Sequence, residues 1–137
     1  MCGISGIINF SPKNINHRIY KMNKIMNHRG PDDNGYNFFN FDDKKISING
    51  NPNSFHSAIS FNRLSIQDLS IKGHQPFNSI DQKITIMLNG EIYNFRDLRE
   101  NLKEIGYEFK SNTDTEVVLN YYIEFGFEKL LDSLEGM

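Results

Sequence analysis

The sequence predicts an α+β domain in which strands and helices pack as separate layers. Apolar runs and alternation indicate strands, and apolar residues three and four apart indicate helices. With 137 residues, 38% of them hydrophobic and 23% charged, the chain can form one globular domain. Fifteen basic and seventeen acidic residues leave a net charge of −2, with no basic stripe. This balance, and the lack of an apolar run near ~20 residues, argue against nucleic acid and membranes as partners.

A buried strand and a helix are predicted to open the chain. The apolar, β-rich segment from Gly3 to Phe10 predicts the strand. One helix face is then marked by apolar residues spaced four, three and four apart, which are Ile15, Ile19, Met22 and Met26. The segment RGPDDNG is predicted to break this helix through Gly30, Pro31 and Gly35.

Further strands follow in the middle of the chain. YNFFNF and KKISI predict a hairpin around Asp42–Asp43. SFHSAISFNRL predicts a strand because apolar residues alternate through Phe55, Ile59 and Phe61. KITIMLN predicts another strand, with one face formed by Ile84, Ile86 and Leu88.

Two helices are predicted in the last third. The first has Asn94 as its N-cap, Gly106 as its stop, and an apolar face of Phe95, Leu98, Leu102 and Ile105. TDTE has the form of a capping box, with Thr113 at the N-cap and Glu116 three residues later. The second helix is predicted to run toward Gly126, with a buried side of Val118, Tyr121, Tyr122 and Phe125. A short apolar segment, FEKLLDSL, follows it.

The chain contains one cysteine, Cys2, directly behind the initiator methionine. A single cysteine cannot form an internal disulfide or a CxxC metal site, and the four histidines lack short metal-ligand spacing. We therefore expect no metal site. The N-terminal segment lacks the basic and long apolar stretches of a secretory signal, so we expect the thiol to work in a reducing cytoplasm.

Position 2 gives this cysteine a particular chemistry. Removal of Met1, which a small second side chain permits, would leave Cys2 with a thiol and a free α-amino group. An α-amino group has a reference pKa of ~7.7–8.0, so one residue would supply both a nucleophile and a nearby base. Asn89–Gly90, at the end of a predicted strand, fits a pair of donors aimed at one oxyanion. The alternative interpretation of Asn-Gly is an ordinary turn.

Six motifs resemble the class II glutamine amidotransferase domain, in the order and at about the spacing of that family. They are MCGISGI, HRGPD, NRLSIQDLS, GHQPF, NGEIYNFRDLRENL and TDTEVVLNYY. That domain belongs to the N-terminal-nucleophile hydrolases, and within the class the chain is similar to the glutaminase domain of glutamine-hydrolysing asparagine synthetases. The similarity covers essentially all 137 residues. It implies an αββα sandwich, with two antiparallel sheets face to face and helices outside.

The resemblance also implies roles for individual residues. Cys2 matches the family nucleophile, and Asn89 and Gly90 match its oxyanion hole. Arg63 matches the arginine that binds the α-carboxylate of glutamine, because a planar guanidinium suits a carboxylate. Asp114 matches the carboxylate that holds the α-ammonium group. The other glutamine-binding positions that the family pattern implies are Leu64, Ser65, Ile66, Gln67 and Glu91.

Other residues near these motifs are expected to be less critical. The loop from Arg29 to Asp32 resembles one beside the family pocket, with a structural more than a catalytic role. Asn62 stands where family members often have histidine, and Thr113 where they often have serine, but neither change removes a catalytic atom. His28 and His74 are expected in loops, with a Cys–His pair as the alternative to activation by the amine.

The activity implied is hydrolysis of the side-chain amide of L-glutamine through a cysteine thioester. No metal or organic cofactor is expected for this step. The ammonia would pass to an ATP-dependent synthetase domain of the same longer chain, which makes asparagine from aspartate. ATP and Mg²⁺ are expected only for that domain, which residues 1–137 do not contain. A homodimer is compatible with the sequence.

Several alternatives stay open at this stage. Related enzymes use the same glutaminase domain to amidate another acid or a sugar. Another cysteine N-terminal-nucleophile amidase, acting on a bile-salt-like or penicillin-like amide, would also begin Met-Cys, although Arg63 and Asp114 favour a free amino acid. A catalytically silent docking domain would keep the fold. We also expect the domain, residues 1–137, to be truncated at its C-terminal end, because the family continues into another apolar strand after LLDSLEGM.

Overall fold

A four-stranded antiparallel sheet is the largest element of the structure, a computed structural model that describes residues 1–42, 45–48 and 54–137. Its strands lie in the order β1-β4-β2-β3 and are β1 (Gly3–Lys13), β2 (Asp33–Asn40), β3 (Lys45–Ile48) and β4 (Phe55–Arg63). β4 has neighbours on both sides and is buried almost throughout. The strand predicted in SFHSAISFNRL and the pairing of YNFFNF with residues 45–48 of KKISI are confirmed. Asp43, in the predicted turn, lies outside the described residues.

β1 differs from the buried strand predicted for Gly3 to Phe10. It extends to Lys13 and lies at the edge of the described sheet, beside β4. The first helix, α1 (Asn16–Met26), packs on one face of this sheet. On the other face Ile4, Ile8 and Phe10 are exposed. The prediction of burial was wrong because an apolar sequence does not reveal whether one or both faces of a strand are covered.

α1 packs on the sheet through the apolar face that its spacing predicts. Ile15 and Ile19 are buried in one cluster with Phe38 of β2. Met22 and Met26, further along the same face, are half-buried. The prediction of this helix is therefore confirmed.

The helix ends in a 3₁₀ turn (Asn27–Arg29), and the predicted break at Gly30 is confirmed. A side chain at Gly30 would collide with the backbone of Asn62 and Arg63 in β4. Glycine therefore lets the loop lie directly against the sheet. Gly35, predicted in the same break, lies instead inside β2, because the pairing of β2 with β4 has already begun there.

A small second sheet lies over the face of the first one that α1 leaves open. In it β5 (Phe77–Asn78) pairs antiparallel with β6 (Thr85–Ile86). The side chain of Asn37, on the face of β2 opposite α1, joins the two sheets. Its Nδ2 donates to Asn78 Oδ1 at 2.7 Å and to Thr85 Oγ1 at 3.3 Å.

The strand predicted over KITIMLN is only two residues long. Ile84, Ile86 and Leu88 are half-buried, and the last two pack against the C-terminal helices. After Ile86 the main chain leaves the ladder, and the Leu88 N–H donates to Gln75 Oε1 at 2.7 Å. A side chain therefore takes the place of a neighbouring strand at this point.

The second helix, α2 (Phe95–Glu104), begins where the sequence predicts. Asn94 occupies the N-cap position, but its side chain makes no capping hydrogen bond. Its Nδ2 donates to the Ser133 carbonyl at 2.8 Å, and its Oδ1 accepts from the Glu135 N–H at 3.1 Å. The side chain thus ties the start of α2 to the C-terminal segment.

The apolar face of α2 is shorter than predicted. Leu98 and Leu102 are buried, and Phe95 is half-buried. Ile105 is 52% exposed, so its assignment to the buried face was wrong. It lies beyond the last helical turn, next to Gly106, which ends the helix with a φ of 100°.

The third helix, α3 (Asp114–Ser133), packs against α2. Of the four residues predicted for its buried side, Val118 and Tyr121 are buried. The other two, Tyr122 and Phe125, are exposed. The prediction was wrong for Tyr122 and Phe125 because the helix is buried on all sides only from Asp114 to Leu119, and beyond that its buried residues are Tyr121 and Leu130. The helix bends at Gly126, where φ is 80°, and continues, so FEKLLDSL forms its last turns.

The layers follow in the order α1, four-stranded sheet, two-stranded sheet, and the α2–α3 pair. One apolar cluster lies between α1 and the larger sheet. The other joins α2 and α3 to the residues around β6. The α+β class, with two antiparallel sheets and helices, is confirmed.

Only one of the two hydrogen bonds of the predicted capping box forms at the start of α3. Thr113 Oγ1 accepts the Glu116 N–H at 3.4 Å, which confirms Thr113 as the N-cap. The Glu116 carboxylate accepts the N–H groups of Lys110 and Ser111 at 2.9 and 2.7 Å, and the Ser111 hydroxyl at 2.7 Å. Glu116 therefore holds the loop before the helix rather than the N-cap residue itself.

We expect Glu116→Ala to lower the free energy of unfolding by about 1–3 kcal/mol, because the buried Ser111 N–H loses its acceptor. Urea unfolding monitored by circular dichroism measures the difference. Glu128→Ala, at an exposed position of the same helix, is the matched control and should stay within about 0.5 kcal/mol of the parent. Equal stabilities for the two variants would contradict the role of Glu116 in holding the loop before α3.

Candidate active site

One cavity of about 500 Å³ brings together residues from distant parts of the chain. Cys2 precedes β1, Arg63 ends β4, Asn89–Gly90 follow β6, and Asp114 begins α3. All the predicted site residues except Ser65 line this cavity, namely Cys2, Arg63, Leu64, Ile66, Gln67, Asn89, Gly90, Glu91 and Asp114. The geometry therefore groups the residues that the sequence predicts to act together.

The register of β1 on β4 places Cys2 at the end of β4. Gly3 pairs with Asn62, so Cys2 lies beside Arg63 and Leu64. The Leu64 N–H donates to Cys2 Sγ at 3.4 Å, and the Leu64 carbonyl oxygen lies 3.9 Å from the same sulfur. The thiol is therefore held against main-chain groups at the wall of the cavity.

The loop from Arg29 to Asp32 supports the site through backbone contacts. Arg29 Nε donates to the Cys2 carbonyl at 2.9 Å. The Asp32 N–H donates to the Arg63 carbonyl at 3.0 Å, and Asp32 Oδ2 accepts the Ser65 N–H at 2.8 Å. These contacts fit the structural role that the resemblance implies for the loop.

Arg63 is buried, and the end of its side chain is held by a short loop. Nη1 donates to the Ser70 carbonyl at 3.1 Å, and Nη2 donates to the Asp68 carbonyl. A guanidinium carries five N–H donors, so these two bonds leave donors for a bound carboxylate. The N–H of Asn112 above all, and then Ser70, lower the pKa of the Asp68 carboxyl to about 2. The loop therefore carries a fixed negative charge close to Arg63.

Asn89 and Gly90 lie where the main chain approaches the C-terminal residues. The Glu91 N–H donates to the Met137 carbonyl, and the Met137 N–H donates to the Glu91 carbonyl, both at 3.0 Å. A Cβ on Gly90 would lie 2.5 Å from the Met137 carbonyl oxygen. Glycine at this position therefore allows the two backbones to pair beside the cavity.

Asp114 is a buried carboxylate at the N-terminus of α3. Its Oδ2 accepts the Ile92 N–H at 3.0 Å. Burial raises the pKa of Asp114 above the usual 3.8 despite this hydrogen bond, and the charge of Glu91 contributes to the rise. Gln67 connects the two acids, because its Nε2 donates to Glu91 Oε1 and its Oε1 accepts the Asp114 N–H at 3.2 Å. The cavity thus contains two carboxylates in addition to Arg63.

Several residues that line the cavity were not predicted as site residues from the sequence. They are Met1, Gln75, Leu88, Thr113, Thr115 and Met137. Gln75 belongs to the motif GHQPF, and the two threonines belong to TDTE, so the motifs mark the right segments. A motif does not reveal which of its side chains face a cavity, and that information comes from the fold.

The histidines considered for a Cys–His pair do not line the cavity. His74 Nδ1 lies 2.8 Å from Asp33 Oδ2. His28 Nδ1 lies 2.9 Å from the Ile25 carbonyl oxygen, on the exposed surface. The geometry therefore favours neither as a partner of Cys2.

Comparison with known proteins agrees with this geometry. The family described as the glutamine amidotransferase domain matches residues 1–137. The chain belongs to this family. A Methanocaldococcus jannaschii protein, named as a candidate asparagine synthetase [glutamine-hydrolyzing] 2, is 42% identical over 93% of this chain and 25% of its own length. Asparagine synthetase [glutamine-hydrolyzing] 1 of Bacillus subtilis is 38% identical over 100% of this chain and 20% of its own length.

This amidotransferase domain thus spans a quarter or less of these curated relatives. A solved structure, the glutamine phosphoribosylpyrophosphate amidotransferase of B. subtilis, superposes on 99% of the chain with a TM-score of 0.77. The matched part is 33% of that protein, at 20% sequence identity. The likeness confirms the fold of two antiparallel sheets with helices. Within the described residues, every helix is too short or too polar to span a bilayer.

We expect Asp114→Asn to raise the melting temperature at neutral pH. The raised pKa means that ionised Asp114 costs the folded state free energy, and asparagine removes the charge while Oδ1 can still accept the Ile92 N–H. The gain should shrink as the pH falls through the raised pKa, because Asp114 of the parent then becomes neutral.

Thermal melts of both proteins across neutral and acidic pH measure this convergence. Asp132→Asn, at an exposed position of α3, is the control and should melt with the parent throughout. A melting temperature of Asp114→Asn below that of the parent at neutral pH would show that ionised Asp114 stabilises the fold.

Proposed function

We propose that this amidotransferase domain hydrolyses the side-chain amide of L-glutamine to glutamate and ammonia. The proposal is carried by one observation, that the cavity containing Cys2 is also lined by buried charges of both signs, Arg63 and Asp114. A free amino acid carries a carboxylate and an ammonium group. Arg63 fits the carboxylate, and Asp114 with Glu91 fits the ammonium group. This pairing favours glutamine over bile-salt-like or penicillin-like amides.

The proposed reaction begins with removal of Met1, which frees the α-amino group of Cys2. The amine accepts the thiol proton while Sγ attacks the side-chain amide carbon of glutamine. Asn89 and the Gly90 N–H donate to the oxyanion of the tetrahedral intermediate. The amine then passes the proton to the leaving nitrogen, and the carbon–nitrogen bond breaks to give ammonia and a glutamyl thioester. Water cleaves the thioester and restores the thiol, so the proposed steps use no metal or organic cofactor.

We further propose that the ammonia passes to an ATP-dependent synthetase domain in a longer cytoplasmic chain. That domain would use ATP and Mg²⁺ to activate aspartate, and the product would be asparagine. The names of the relatives support this acceptor. The small share of their length that this chain spans fits a further domain in those relatives. Another acid or a sugar as acceptor would leave the glutaminase steps unchanged.

Ammonia release from L-glutamine tests the glutaminase proposal. Cys2→Ala should abolish it, and Asn89→Ala should lower kcat by about 10²–10³ with little change in KM, as expected for one lost oxyanion donor. Asn101→Ala, at an exposed position of α2, is the matched control. Intact mass of the active protein should lack Met1, and a glutamine-like diazoketone should add once, at Cys2. Activity with Met1 retained would overturn the mechanism, and activity of Cys2→Ala would remove the nucleophile.

The role of Arg63 can be tested without changing Arg63 itself. Gly73 closes a 3₁₀ turn (Ile71–Gly73) against the guanidinium, where an added Cβ would overlap Nη2. We expect Gly73→Ala to displace the guanidinium and to raise KM for glutamine about tenfold, since a hydrogen bond to a charged group contributes about 1.5–3 kcal/mol. Gly6→Ala is the control, because an added Cβ there meets nothing nearer than 3.7 Å. An unchanged KM for Gly73→Ala would argue against carboxylate binding by Arg63.

A further inference from the structure

Gln75 is a buried side chain, 6% exposed, in the wall of the cavity. Both ends of its amide are occupied. Oε1 accepts the Leu88 N–H at 2.7 Å, and Nε2 donates to Thr115 Oγ1 at 3.1 Å. Because the Leu88 N–H can only donate, the amide orientation is fixed, with its oxygen toward Leu88.

The two partners of Gln75 adjoin two different parts of the site. Leu88 directly precedes Asn89–Gly90, the proposed oxyanion donors. Thr115 directly follows Asp114, the proposed ligand of the α-ammonium group. The Gln75 side chain thus bridges two segments. One would contact the side-chain amide of glutamine, and the other would contact its α-ammonium group.

The bridge is anchored on the sheet that carries Cys2. A side chain on Gly35 would overlap the Gln75 carbonyl oxygen, so the two backbones are in close contact. Gly35 lies in β2 and pairs with Phe61 of β4, the strand beside Cys2. The preceding residue, His74, is fixed by its contact with Asp33 of β2 at 2.8 Å. Movement of Gln75 relative to the nucleophile is therefore restricted.

The segment around Leu88 depends on this bridge. β6 ends at Ile86, and the Leu88 N–H is bonded by the amide of Gln75 in place of a ladder partner. Without Gln75 this N–H would lose its acceptor beside the cavity. The main chain directly before Asn89–Gly90 would then no longer be held in place. A misplacement of about 1 Å in a catalytic group can cost about 10²-fold in rate.

We propose that Gln75 is a positioning residue that sets the spacing between Asn89–Gly90 and Asp114. The proposal rests on the proposed glutaminase function and identifies what makes the site selective for an amide that carries an α-amino group. L-Glutamine must contact both segments at once, so its turnover depends on their spacing. Glutamine without the α-amino group, 5-amino-5-oxopentanoate, does not bind Asp114. It can therefore shift within the cavity to stay in contact with Asn89–Gly90 when that segment is displaced.

The test compares kcat/KM for these two amides in the parent protein and in Gln75→Met, which keeps length and removes both hydrogen bonds. For glutamine we expect a loss of about 10- to 100-fold. For the analogue we expect a loss at least fivefold smaller, so that the selectivity ratio falls. Thr115→Val removes one end of the bridge and also the hydrogen bond from the Thr115 hydroxyl to Asp114 Oδ1. We expect it to lower the ratio, and only the part of its loss that disappears when it is combined with Gln75→Met belongs to the bridge. Gln82→Met, at an exposed position, is the matched control.

Each outcome decides the proposal. Equal losses for both amides, or none, in an active parent protein would overturn the positioning role and leave the glutaminase function intact. A parent protein that releases no ammonia from glutamine would overturn both. If Gln75→Met does not fold, as judged by its melting curve, the ratio measured for Thr115→Val alone decides, and an unchanged ratio counts against the proposal.

Discussion

The antiparallel pairing of β1 with β4 is the constraint on which the site depends. Its register sets Gly3 opposite Asn62, and this alone brings a residue near the start of the chain beside Arg63. The Leu64 contact to the sulfur and the Arg29 contact to the Cys2 carbonyl then fix the orientation. A shift of one residue would turn every side chain of β1 to the other face of the sheet. The position of the nucleophile is therefore a property of the sheet.

A second set of contacts joins elements that share little apolar surface. Asn37 connects the two sheets, Gln75 connects the segment after β6 to α3, and Asn94 connects α2 to the C-terminal segment. Each is a polar side chain in a buried or half-buried position that donates through its amide nitrogen across the contact. Such bonds depend on direction as well as distance, so they specify relative placement more narrowly than apolar contact does. The cavity lies where the elements joined in this way converge.

Much of this arrangement could be predicted from the sequence. Periodicity predicted α1, α2 and β4, and the motif order predicted residues that the fold does group in one cavity. What could not be predicted depends on partners distant in sequence. The exposed side of β1 depends on which layers cover it. β6 is short, and beyond it the Leu88 N–H bonds the side chain of Gln75 instead of a neighbouring strand. The side chain of Asn94 bonds Ser133 and Glu135 instead of capping α2.

The exposed face of β1 has a practical consequence for work with this protein in solution. Within the described residues β1 is an edge strand, with Ile8 and Phe10 exposed on one face, and an edge of this kind can pair with a strand of another chain. Self-association through this strand would engage the segment that directly follows Cys2. The fraction of protein that is accessible to a thiol reagent should then fall as the stock is concentrated, and specific activity would vary with the history of the sample. Active-site titration of each preparation would separate that loss from any effect of a substitution.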